Sequence, residues 1–223
     1  MNADWHERHP MPKHPTLEQR VSWHIDHQRH CACRPIPVRL AALMRSRSGG
    51  KRGVGFLRAL LSGGDRRSIA RSNQALTLLR MHPARMSEVV ALTEDADWLV
   101  SMRSLDLLDK LAHEHPEWIE RHKHVLIGPL ADSDKWEIRL QIVRALALFD
   151  WTPTERRRVL EILLRDVEHP QKFVRAWALD SLAIFAEQDA SLLPVVRRKL
   201  REFERSGSKA LAARARRIRE RLL

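Results

Sequence analysis

A chain of 223 residues, 43% hydrophobic and 30% charged, has a globular composition, which sets intrinsic disorder aside. It is long enough to bury a core unaided, and its 2 cysteines stand one residue apart, too close to staple a fold with a disulfide. No apolar run approaches the ~20 residues of a bilayer span and the start carries no secretory core, so the cytoplasm is the default compartment.

The formal net charge of +12 is unevenly spread. Residues 1–53 hold 10 Lys/Arg against 4 Asp/Glu, residues 54–150 hold 13 against 14, and residues 151–223 hold 17 against 10. Basic flanks attract nucleic acid, acidic proteins or anionic membrane surfaces, and they also simply keep a protein in solution. With no Tyr, 8 Gly, and Leu, Ala, Arg and Glu dominant, the balance favours helix over strand.

Residues 1–15 contain Pro10, Pro12 and Pro15 and read as a loose tail. The stretch "TLEQRVSWHIDHQRH" reads as a helix, with Thr16 as N-cap and Gln19 placed for a capping box. "CACRPIP" ends it, because Pro35 and Pro37 cannot continue a helix. "SRSGGKRGVG" reads as a flexible basic linker, which divides the chain into a His/Cys-containing segment at 1–45, a linker at 46–54 and a helical domain at 55–223. That linker is no phosphate loop: the pattern needs Gly where Arg45 stands and Ser or Thr where Arg52 stands.

From Gly55 onward, helical patterns alternate with short stop signals, among them "GGD", "EDAD", "DSD", "DWTP" and "SGS". They also repeat. Val174-Arg175, with Ala178 and Leu182, matches Ile138-Arg139, Ile142 and Leu146 one unit earlier. Further copies fall at Val100-Ser101, Ser104 and Leu108; at Arg71-Ser72, Ala75 and Leu79; and at Leu211-Ala212, Ala215 and Arg219. An acid stands six residues before each of the first four anchors: Asp65, Glu94, Asp132 and Glu168. Between the anchors lie "ARMSEVVALT", "PEWIERHKHVLIGPLA", "TPTERRRVLEILLRDVEH" and "ASLLPVVRRKLREFER" as second helices. The pattern predicts an all-α, right-handed α-solenoid of about five antiparallel helix pairs, with degraded end copies where a stack meets solvent.

"DSDKWEIRLQIVRAL" and "EHPQKFVRAWALDSL", with their acid and Val/Ile-Arg pair, resemble the HEAT-repeat family over roughly residues 55–222. Two departures are Ser101 in place of the Arg and an acid one residue farther from the pair than that family usually has it. The resemblance implies that the Val-Arg helices form an inner, concave layer, and that the array binds a protein or, in some members, nucleic acid. On that basis Arg103, Arg139, Arg144, Arg175, Asp180 and Trp177 are the candidate macromolecule-binding residues. Size, basicity and 7 Trp also resemble the HEAT-like alkyl-DNA glycosylases, but no catalytic residue carries over by position.

Two other constellations bear chemistry. "HIDHQRHCAC" places His24, His27, Cys31 and Cys33 within ten residues, with His27 and Cys31 one helical turn apart. Imidazole and thiolate are zinc ligands, so the cluster is either a zinc site, which would make the chain a zinc-binding adaptor, or a His-rich helix end. The last helix carries Arg214, Arg216, Arg217 and Arg221 opposite a stripe of Leu211, Ala215, Ile218 and Leu222, either a phosphate-binding patch or the polar cap of the solenoid. The expected function is a non-enzymatic binding scaffold with a protein partner and no membrane span. A nucleic-acid-binding protein or glycosylase is the alternative.

Overall fold

A computed structural model of the chain describes residues 2–31, 33–34, 36–37, 40 and 51–222, without the side chains of residues 17, 18, 25, 29 and 51–54. It divides into two compact units, Met1–Phe56 and Leu57–Leu223. No strand occurs among the described residues.

The first unit opens on α1 (Ala3–Arg8), although residues 1–15 read as a tail. Asn2 caps α1 by accepting from the Trp5 amide at 3.1 Å, and Trp5 is buried, so a local cap and one large apolar side chain outweigh the prolines that follow. Helix α2 (Leu17–His30) starts at the expected capping box: Gln19 N donates to Thr16 Oγ1 at 3.2 Å and Thr16 N donates to Gln19 Oε1 at 2.8 Å. It ends with the Cys31 amide donating to the His27 carbonyl at 2.8 Å.

The second unit opens on the last turns of α3 (Lys51–Leu61). Residues 46–50 of the expected linker lie outside the described residues, while 51–54 are already helical backbone. Burial of Leu57, Leu60 and Leu61 along one stripe outweighs the roughly 1 kcal/mol that each of Gly53 and Gly55 costs a helix. Then follow α4 (Ser72–Met81), α5 (Met86–Leu92), α6 (Trp98–Glu114), α7 (Pro116–Ile119), α8 (Trp136–Ala145), α9 (Pro153–Asp166), α10 (Lys172–Gln188), α11 (Leu193–Arg205) and α12 (Lys209–Leu222).

Four of the five predicted anchors share one buried register, while the copy at Arg71 keeps Ser72, Ala75 and Leu79 buried with Arg71 itself exposed. Val100, Ile138, Val174 and Leu211 are buried, as are Ser104, Ile142, Ala178 and Ala215 four residues on. Helices α4, α6, α8, α10 and α12 pack in series as one layer, and α5, α9 and α11 cover it as a second layer. Small residues at the fourth position let neighbouring helices approach; Ser181 on α10 even donates to the Val143 carbonyl of α8, at 2.5 Å. The structure departs from the pattern at 116–131. There a single turn, α7, gives way to 3-10 turns at Glu120–Leu126 and Pro129–Asp132. Pro129 lacks an amide proton, Gly128 precedes it, and His122, His124, Val125 and Ile127 are weak helix formers. Ile119, Leu126 and Ala131 are nonetheless buried, so the segment still covers the core.

Arg103 was expected on a binding face, but it is 2% exposed. Its guanidinium donates to the carbonyls of Leu61, of Asp65 at 2.9 Å and of Ser68 at 3.1 Å, and so gathers the α3–α4 loop around itself. That loop turns at Gly63 and Gly64, whose φ values of 84° and 70° favour glycine, and a Cβ on Gly64 would meet Ser68 Oγ at 2.7 Å. Arg103→Leu removes the donors of three carbonyls in one step. It is expected to destabilise the chain by about 2–4 kcal/mol in urea unfolding, and Arg103→Lys to recover only part of this.

Candidate functional site

The polar side chains of the anchor layer form a continuous strip across α6, α8, α10 and α12. Trp177 on α10 is flanked by two guanidinium groups: that of Arg144 lies 5.1 Å from its ring centroid and that of Arg214 lies 3.9 Å from it. Arg214 donates to Asp180 Oδ2 at 2.9 Å, and Arg221 donates to Asp180 Oδ1 at 3.1 Å and to Glu187 at 2.8 Å. At the other end Arg144 Nη2 lies 2.8 Å from Asp109 Oδ2, with Asp106 and Lys110 paired beside them at 2.6 Å. The repeat spacing creates this row, because a side chain on one anchor helix faces its counterpart about one repeat away.

The Asp109–Arg144 pair is incomplete. The Asp109 side chain is fully buried, yet neither carboxylate oxygen makes a hydrogen bond, and Arg144 Nε is also buried without one. Buried polar groups are nearly always satisfied, so this end of the strip is where the chain leaves polar capacity unused. Burial pushes the Asp109 carboxyl up to about 6, against the opposing pull of Arg144.

Other expected residues sit apart from this strip. Arg139 pairs with the buried Asp166 of α9, and the Arg165 guanidinium bonds the same carboxylate at 2.9 Å. Arg175 donates to the Val167 carbonyl at 3.3 Å and lies over the Phe203 ring at 5.1 Å. Both guanidinium groups therefore bind an anchor helix to the second layer. Two of the recurring acids pair with second-layer bases: Asp132 of the 3-10 turn receives Arg158 and Arg165 of α9, and Glu168 receives Lys199 of α11. The expected basic patch of α12 splits. Arg214 and Arg221 belong to the strip, whereas Arg216 and Arg217 are exposed and show no ion pair among the described residues.

In the N-terminal unit, His6, His27, Cys31 and Cys33 bring one donor atom each within 4.8 Å of one another. His27 Nε2 lies 3.3 Å from Cys33 Sγ, which lies 3.5 Å from His6 Nε2. The Asn2 amide donates to Cys31 Sγ at 3.1 Å and pulls this thiol down to about 6, while the hydrogen bond with Cys31 pushes Cys33 up. His24, expected as a ligand, is not in the group. Its ring packs edge-on against Trp23, its Nδ1 is buried without a hydrogen bond, and burial lowers its pKa. His6 takes its place. Twenty residues separate it from His27, inside the stretch read as a tail; the one local sign was Asn2 as a cap ahead of Trp5.

No protein-family model matches the sequence, and no curated protein matches it. Solved structures do resemble it. A designed armadillo repeat protein superposes with a TM-score of 0.53 at 17% identity, covering 93% of this chain and 100% of that one. An engineered protein superposes with a TM-score of 0.51 at 18% identity, covering 100% of this chain and 97% of that one. The likeness is one of fold: this chain is an all-α helical-repeat solenoid. No helix among the described residues is long and apolar enough to cross a membrane.

The raised pKa of Asp109 has a measurable sign. Between the ordinary carboxyl value of about 3.9 and its own value the folded chain holds a proton that the unfolded chain has lost. Asp109 therefore lowers stability as pH rises through roughly 4 to 6. Asp109→Asn removes this loss, so urea unfolding should show the variant gaining on the parent by about 1–3 kcal/mol between pH 4 and pH 7.

Proposed function

We propose that the solenoid is a non-enzymatic scaffold that holds another protein on its anchor-helix layer, with the strip around Trp177 at the centre of the contact. One observation carries this reading. The strip sets four bases (Lys110, Arg144, Arg214, Arg221) among four acids (Asp106, Asp109, Asp180, Glu187), with a half-buried Trp between two arginines. A phosphate-binding face is uniformly basic, because each contact sets a cation against a negative phosphate. A surface of mixed sign with Trp and Arg at its centre is the composition of a protein interface. Two helices per 36–38 residues support a HEAT-like unit, and the resemblance makes the anchor layer its concave side.

The glycosylase alternative finds a Trp and an Asp one turn apart in Trp177 and Asp180. The Asp180 carboxylate, however, already accepts from Arg214 and Arg221. Those two ion pairs give the carboxylate a structural role that accounts for its place on α10.

Charge reversal at the two ends of the strip tests the proposal. Lys110→Glu, at a half-buried position, and Arg221→Glu, at an exposed one, each lose a pair and gain a like-charge contact, so each should cost no more than about 2 kcal/mol of stability. A partner captured by cross-linking and then purified should bind these variants at least about tenfold more weakly, a loss of roughly 1.4 kcal/mol. Arg157→Glu on the exposed side of α9 should leave binding unchanged. Equal loss in Arg157→Glu, or parental binding by both strip variants, removes the strip from the interface. Retention on heparin that only the strip variants lose would replace the protein partner with a polyanion.

A further inference from the structure

We propose that His6, His27, Cys31 and Cys33 hold one zinc ion as a closed, structural site. The donor set is two thiol sulfurs and two imidazole nitrogens, the combination that tetrahedral structural zinc takes most often alongside four cysteines. The spacing of the donors agrees. Zinc bonds of about 2.0–2.3 Å place the ligand atoms of a tetrahedron about 3.3–3.8 Å apart. The chain already sets His27 Nε2 3.3 Å from Cys33 Sγ, and Cys33 Sγ 3.5 Å from His6 Nε2. All four donor atoms lie within 4.8 Å of one another, so small side-chain rotations close the set around one ion.

The surroundings are built for this set. His27 and Cys31 stand one turn apart at the end of α2, and Cys33 follows as the chain leaves the helix. His6 comes from α1, whose start is tied to the end of α2 twice: Asn2 Nδ2 donates to the His30 carbonyl at 3.2 Å and the Asn2 amide donates to Cys31 Sγ at 3.1 Å. An amide aimed at a ligating sulfur is the kind of outer contact that orients metal ligands. Trp5 and Trp23 wall the imidazoles: Trp23 stacks on His27 at 4.8 Å and 9°, and the His6 ring lies 5.0 Å from the His27 ring. Zinc also answers an energetic need. Among the described side chains of Met1–Phe56, only Trp5, His27 and Leu40 are buried. A unit of this size commonly draws part of its stability from a structural metal.

The alternative use of two neighbouring cysteines is a disulfide. Cys31 and Cys33 are separated by one residue, a loop too short for the usual Cα spacing without strain, and both are free thiols here. Four protein ligands leave no open position for substrate, so the site shapes the unit rather than catalysing a reaction.

The test uses the full chain, produced without a polyhistidine tag, saturated with zinc and dialysed. Elemental analysis is expected to find about one zinc per chain. Cobalt(II) in its place is expected to give tetrahedral d–d bands and a thiolate-to-cobalt charge-transfer band, a readout that needs no variant. His6→Ala and Cys33→Ser should each weaken zinc at least about 100-fold against a chromophoric chelator, since outer-shell changes alone cost 10–100-fold. His24→Ala should keep full stoichiometry, which separates this ligand set from one built on His24. The far-UV helical signal, supplied mainly by the solenoid, should persist in every variant. Parental chain that retains no zinc, cobalt spectra without a thiolate band, parental affinity in His6→Ala, or zinc loss in His24→Ala would each overturn the assignment. So would a Cys31–Cys33 disulfide in the zinc-free protein that added zinc and reductant fail to displace.

Discussion

No helix of the solenoid buries its apolar stripe alone; each depends on the same stripe of the next helix. Val100, Ile138, Val174 and Leu211 are the points where this dependence is met, all buried and all in one register. Burying one such side chain stabilises by roughly 1.5–3 kcal/mol, so the row of anchors outweighs any polar contact the chain makes. The remaining features follow from this stacking. Small residues occupy the fourth positions Ser104, Ala178 and Ala215 because the backbones must come close.

Stacking at a fixed spacing also organises charge. Arg80 meets Glu114, Arg214 meets Asp180 and Arg221 meets Glu187, each pair separated by 34 residues. Surface pairs such as Arg80–Glu114 and Arg221–Glu187 contribute little singly. Their regularity matters more than their strength: it places like functions on like faces and yields a strip of alternating sign around Trp177. Buried acids behave differently. Asp166 is fully enclosed but is met by Arg139 and Arg165, whereas Asp109 is enclosed beside Arg144 and His113 without a hydrogen bond to either carboxylate oxygen. The first is a staple and the second an unfinished polar site, a difference that neither acid shows in its sequence setting.

The N-terminal unit obeys a different constraint. Directional contacts organise its described residues: the Asn2 cap, the Thr16–Gln19 capping box, the stacked Trp and His rings, and a convergent Cys/His group. The two units illustrate two routes to order, one through repeated apolar contact and one through a few oriented donors.

Local and periodic features were legible in the sequence. The helical class, the anchor register at Val100, Ile138 and Val174, the capping box at Thr16 and the breaks between the solenoid helices all depend on neighbours a few residues away or on a fixed repeat. What lies across the chain was not legible. Arg103, Arg139, Arg144 and Arg175 occupy similar sequence settings, yet one holds a loop, two bind the second layer and one borders Trp177. The exchange of His24 for His6 has the same origin. Sequence spacing decides which side chains share a helix face, but the partner of a long polar side chain is decided by whichever element the fold brings opposite it.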